Sequence, residues 1–195
     1  MIKVASYSSF LPPETLWIDT TSRSKNWSRG LSPFFLGPIS WYDQSRDQTF
    51  ESKNVENLWQ FSKLYPEHQN ADGTPSEAYW DWAQKGWADS YAHRYPMGRG
   101  KIPNCAWWCG KALTYVEARK EIYIPYYSMA VKLSSAYQTL LEVVRQTNAD
   151  GRDVYLRDFD GFDKTDMTWD EVINDPKRKM GHAFVLAMLL EQDLK

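Results

Sequence analysis

A chain of 195 residues with a formal net charge of -2 is long enough for a real hydrophobic core and carries no polybasic signature, so long-range attraction to duplex nucleic acid is not expected. Its longest uninterrupted apolar run, Ala183 to Leu190, is far too short to span a bilayer. The first ten residues lack the charged-then-apolar order of a signal peptide, which points to a cytoplasmic protein with no membrane partner.

In chain order, Ile2–Ser6 and Thr15–Thr21 collect strand formers on either side of Pro12 and Pro13 and predict two short strands. The stretch from Ser22 to Gln48 has Gly, Pro and Ser throughout and reads as loop with one short strand. A helix is predicted from Asn54, a suitable N-cap, to Tyr65, where Pro66 ends it. A second helix starts at Ser76 and runs to about Tyr91, weakened at Gly86. Cys105 and Cys109 stand four apart among tryptophans, a spacing that stacks them on a helix and suits reduced thiols. Two further helical segments flank Pro125, a strand follows at Arg152–Asp158 and runs into an acidic turn, and an all-apolar helix from His182 to Gln192 is expected at the centre. The sum is an α+β, mostly helical single domain with a few short N-terminal strands. Residues 1–30 form a strand-and-loop segment packed on a main body of residues 31–195.

The predicted helix over 54–65 is apolar over most of its circumference, and at about 100° per residue Glu56, Gln60 and Lys63 line up in one file beside Trp59. A partly exposed stripe with a weak Glu–Lys pair is the plain interpretation. The alternative is the wall of a site, where Glu56 activates a nucleophile, Gln60 orients and Lys63 holds an anion. A buried carboxylate is tolerated only when paired or protonated, and both states serve acid–base chemistry.

Two other stretches invite chemistry. The loop His93–Lys101 places Arg94, Arg99 and Lys101 around Gly98 and Gly100, a composition able to bring backbone N–H groups and guanidinium forks to a phosphate, although P-loop spacing is missing. The acidic turn Arg157–Asp166 offers Asp158 and Asp160 to a metal or a sugar hydroxyl. The twelfth position counted from Asp158 is Trp169, not the glutamate of a calcium loop. The histidines and cysteines show no zinc spacing, and no metal or organic cofactor is expected. Ten tryptophans and twelve tyrosines serve as core bulk or as the walls of a cleft that stacks a planar ligand.

Several of these residues together resemble the NADAR domains, the YbiA-like N-glycosidases. Leu31-Ser32-Pro33-Phe34 is similar to the family's Phe-Ser-Asn-Phe segment, and Val55 to Lys63 matches its Glu…Gln…Lys helix at Glu56, Gln60 and Lys63. Met97-Gly98-Arg99-Gly100 with Trp107 and Trp108 resembles its Gly-Arg and downstream tryptophan. Asn57 stands where that family has histidine, and Gly181, His182 and Ala183 replace its late Gly-x-Asn, so the resemblance is to a divergent branch.

The resemblance implies hydrolysis of a ribosyl–nitrogen bond in a phosphorylated or ADP-ribosylated nucleoside-like small molecule, or in modified nucleic acid as an alternative carrier. Glu56, with Asp158 or Asp160, would be catalytic. Lys63 and Arg99 with Gly98 would bind phosphate, Gln60 would orient, and Trp59, Trp107 and Trp108 would line the base pocket. Ser32, Phe34 and His182 would complete the substrate-binding set. A non-catalytic binder of ADP-ribose, NAD or a related nucleotide is the second expectation, and a metal-dependent nucleotide- or base-modifying enzyme using Asp158 and Asp160 the third.

Overall fold

The computed structural model describes residues 1–164 and 166–195, so Thr165 of the predicted acidic turn lies outside the described residues. The chain is α+β and mostly helical, as its patterning implies, and falls into two units: Met1–Phe35 with Tyr127–Lys195, and Leu36–Tyr126. No helix among the described residues is long and apolar enough to cross a membrane.

The first unit is built on a three-stranded, all-parallel sheet. β1 (Ile2–Ser6) and β2 (Leu16–Asp19) flank β8 (Val154–Asp158), with Val4, Leu156 and Ile18 in one row across the three strands. All three side chains are buried and face the core, while Lys3, Tyr155 and Trp17 form the alternate row. α7 (His182–Asp193) packs on this sheet, and its residues 183–187 are at most 1% exposed, which explains a sequence apolar all round. α5 (Ser135–Ala149), capped by Ser134, packs on the 3₁₀ turn Trp27–Leu31. The short helix α6 (Trp169–Asn174) was not predicted. It begins at a Thr168–Glu171 capping box just beyond the acidic turn, and Val172 is its one buried residue.

The second unit contains the candidate helix. The region expected to be mostly loop instead closes a hairpin of β3 (Ile39–Asp43) and β4 (Gln48–Ser52), whose alternation of buried and exposed side chains was masked by turn-forming residues on both sides. α1 spans Val55–Phe61 with Asn54 as N-cap, and it ends four residues earlier than predicted. Lys63 and Leu64 form β5 rather than a last helical turn, because they pair antiparallel with Ala106 and Cys105 of β6 (Cys105–Trp108). β6 continues through a tight turn into β7 (Lys111–Leu113), which places the two free cysteines on a hairpin and not on a helix.

α2 (Glu77–Ala88) starts at its Ser76 cap and packs on α1. The predicted break at Pro125 is not the one observed. α3 (Tyr115–Ala118) runs through a π-helical turn, Arg119–Tyr123, directly into α4 (Ile124–Lys132), so Pro125 lies inside a continuous helical stretch, immediately after the i→i+5 turn. Trp41, Phe50, Trp80, Trp87 and Trp108 form a continuous buried ring cluster, with Trp41 stacked on Trp108 at 5.1 Å and set edge-on to Trp87 at 4.9 Å.

Gly86 of α2 has a packing reason: a Cβ there would overlap the Cδ1–Cε1–Cζ edge of the Phe61 ring on α1. Gly86→Ala should therefore destabilise the protein by about 1–3 kcal/mol from overpacking, despite the better helix propensity of alanine. Urea unfolding of the variant, with its midpoint compared to the parent's, checks this.

Candidate functional site

The three polar residues of α1 and its exit form one chain of hydrogen bonds. The Gln60 amide N–H donates to Glu56 Oε1 at 2.8 Å, and the Lys63 ammonium donates to Gln60 Oε1 at 2.6 Å. The amide orientation is thus set at both ends: its NH₂ faces the carboxylate and its carbonyl faces the cation. Glu56 and Gln60 are 7% and 8% exposed, so the file is part of the interior and not a solvated stripe. Lys63 is half-buried and reaches the file from a strand, since β5 leaves α1 at a turn short enough to keep its side chain beside Gln60.

Aromatic rings and a second cation flank this file. Lys63 Nζ lies 5.2 Å from the Trp59 ring centroid, and Trp59 contacts Tyr123 at 5.2 Å and Tyr115 at 6.1 Å. The Arg119 guanidinium sits 4.6 Å from the Tyr115 ring and is 1% exposed. Trp59 is half-buried and Tyr115 is 40% exposed, so this aromatic pair is the part of the assembly that meets solvent. The arrangement offers planar faces to a base, an ammonium to an anion, and a carboxylate held in a fixed orientation.

Asn57 does work that the sequence did not advertise. It is wholly buried, its amide donates to the carbonyls of Asp89 (3.0 Å) and Tyr91 (2.9 Å), and its Oδ1 accepts from the His93 N–H at 2.8 Å. With the Asp89–His93 pair at 2.7 Å, these bonds fasten the chain leading into the basic loop onto α1. Asn57 is therefore a structural anchor for residues 89–93.

The remaining predicted residues fall in several places. Within the second unit, Arg99 is exposed, and with Arg94 it flanks the Tyr95 ring, at 5.6 and 5.7 Å; Lys101 pairs with Glu67 at 2.6 Å. Gly98 and Gly100 take φ of +97° and +83° with open space around them, a left-handed turn that other residues resist. Trp108 is 7% exposed inside the ring cluster, so it supplies core bulk and offers no free face to a base. Trp107 is half-buried, but Ala106 is the residue that pairs with Lys63, so strand alternation sends Trp107 to the other face of the hairpin.

In the first unit, Ser32 is buried at the end of its 3₁₀ turn, where its hydroxyl accepts from the N–H of half-buried Phe34 at 3.4 Å. Asp160 is half-buried in the turn after β8. Asp158, expected as an acid–base group, and His182, expected to touch substrate, form a buried pair instead: Oδ2 to Nδ1 is 3.0 Å, and both residues are under 7% exposed. His182 Nε2 lies 2.7 Å from the Thr20 carbonyl, so both ring nitrogens face acceptors, the arrangement that suits the imidazolium form. Asp158 also accepts from the Ala183 N–H at 3.2 Å, at the start of α7. A side chain at position 181 would overlap the Asp158 carboxylate, which accounts for Gly181. Burial pushes the Asp158 carboxyl up, but the His182 charge and hydrogen bond, with backbone N–H groups of Ala183 and Phe159, outweigh it and hold the group below the ordinary carboxylate range. The pair ties β2, β8 and α7 together. Among the described residues there is no group of three or more His, Cys, Asp or Glu that could hold a metal ion, and Asp158 is engaged by His182.

Arg119 and Tyr115 were absent from the residues singled out by pattern. The signal was present, because Arg119 interrupts a run of buried positions at Ala118, Ile122 and Tyr123 just as Glu56 interrupts the apolar face of α1.

A family model matches residues 3–186, and the chain belongs to that family, DUF6939, a family of unknown function. No curated protein and no solved structure matches the chain.

Asn57→Ala should cost about 2–4 kcal/mol, from bonds worth about 1 kcal/mol each plus the carbonyls left unsatisfied. It should also speed proteolytic cleavage within residues 89–101, read by limited digestion. Asp158→Asn strands the imidazolium and should cost about 3–5 kcal/mol at neutral pH. Because the folded Asp158 carboxyl is depressed, its stabilisation is complete above the ordinary aspartate value of about 3.9 and is lost as pH falls through the lower folded value. Denaturant titrations across the acid range should show that limb flattened in Asp158→Asn.

Proposed function

We propose that this DUF6939 member is an N-glycosidase that hydrolyses a ribosyl–nitrogen bond in a phosphorylated or ADP-ribosylated nucleoside-like substrate. The observation that carries the reading is the Glu56 carboxylate, buried and aligned by Gln60, in a file that ends at the Lys63 ammonium beside the partly exposed rings of Trp59 and Tyr115.

Cleavage of such a bond builds positive charge on the ribose as the C1′–N bond lengthens, and a carboxylate close to it stabilises that charge. Water adds its oxygen to C1′, the bonding pair leaves with the base nitrogen, and Glu56 takes the proton that the water releases. The base departs as N–H after protonation from solvent. Lys63 would hold the substrate phosphate away from the reacting carbon, and a base stacked on Trp59 and Tyr115 would orient the bond to be broken.

The half-exposed rings and the ammonium serve equally a non-catalytic nucleotide-binding module. The observation favouring that second reading is that one Glu56 oxygen is already occupied by Gln60. Incubation with a panel of ribosyl–nitrogen compounds, including ADP-ribosylated nucleosides, separates the two. The hydrolase releases free base, and Glu56→Gln, assayed as folded protein below its own melting temperature, lowers the rate by about 10²–10⁴-fold. A Glu56→Gln protein that works at the parent rate ends the assignment. Thermal stabilisation by ADP-ribose without base release selects the binder.

A further inference from the structure

We infer that Arg119 is the positioning residue for Glu56, its buried counter-charge across the packing of α1 on the π-helical turn; this rests on Glu56 being the reacting carboxylate proposed above. Arg119 heads the largest side chains that are fully buried, and a guanidinium withdrawn from water needs an anionic acceptor, since an uncompensated buried charge is strongly destabilising. Glu56 is a buried carboxylate on the helix that packs against the turn.

The spacing aims one at the other. Tyr115 and Tyr123, the two rings that touch Trp59, lie four residues before and four residues after Arg119. Arg119 is therefore the middle residue of the face turned towards Trp59. On α1, Glu56 is the i−3 neighbour of Trp59, on the same side of that helix. The turn itself is wound for this contact: the Ile124 N–H bonds the Arg119 carbonyl, an i→i+5 bond that widens the helix where the arginine enters, and such turns gather at functional sites.

Arg119 does not touch substrate. With Gln60 on Oε1, its charge keeps Glu56 a carboxylate and fixes the plane in which that carboxylate meets the ribose. Glu56, Lys63 and Arg119 together carry one net positive charge, which complements a substrate phosphate.

The test reads Glu56 directly, in the full-length protein and without substrate. Infrared difference spectra across pH identify the carboxylic-acid band of Glu56 as the one that Glu56→Gln removes. In the parent that band should be missing at neutral pH, in Arg119→Met it should be present at neutral pH, and Arg119→Lys should behave as the parent. Identical titrations in the parent and a folded Arg119→Met overturn the inference. Should Arg119→Met fail to fold, the double variant Glu56→Gln/Arg119→Met decides. Rescue of folding by removing the carboxylate supports the pairing, and no rescue overturns it. Base release is a separate readout: a parent inactive on every compound of the panel refutes the hydrolase reading, while the infrared result still decides Arg119.

Discussion

A carboxylate in an apolar interior must be answered by other polar groups, and that constraint organises the second unit. Glu56 is answered first by Gln60, whose amide can satisfy it only by turning its carbonyl towards Lys63. α1 stops at Phe61 because Lys63 and Leu64 pair with β6, which fixes the lysine beside Gln60. Trp59 then covers the ammonium and meets Tyr115 and Tyr123, so a single buried charge draws a helix, a hairpin and a π turn onto one another. Replacing the file by well-packed apolar residues would satisfy packing equally well.

The first unit solves a similar problem for a different end. Asp158 and His182 are also a buried acid–base pair, yet their partners are the carbonyl of Thr20, just past β2, and a helix N–H, and the pair lies at the first turn of α7. These contacts of the dyad run to the backbone, and it links β8 and α7 to the residue that follows β2. The file in the second unit differs in ending at a half-buried lysine and rings that reach solvent. Two buried ion networks in one chain thus divide into one that closes on the backbone and one that opens towards solvent.

Much of the fold was legible because its signals are local. The strands at Ile2–Ser6 and Leu16–Asp19, the caps at Asn54 and Ser76, and the central character of the last helix follow from strand formers, cap chemistry and all-round apolarity. What was misread required knowledge of partners. Lys63 continues a helical pattern until β6 claims its backbone, Cys105 and Cys109 look helical until a hairpin separates them, and the β3–β4 hairpin hides among turn formers because its pairing is with itself and not with a period. The tryptophans show the same limit: composition cannot tell Trp108, stacked inside the core, from Trp59, which is half exposed.

The sequence by itself determined that the chain is α+β, that no apolar run spans a bilayer, and that Glu56, Gln60 and Lys63 share one side of an otherwise apolar segment, since each of these depends only on composition and spacing. The tertiary structure alone decided that Glu56 and Gln60 are buried and bonded in sequence, that Asp158 belongs to His182, and that Arg119 lies in the interior. The physical reason is that a side chain's charge becomes consequential only when water is removed from it, and which neighbours replace that water is set by elements distant in the chain.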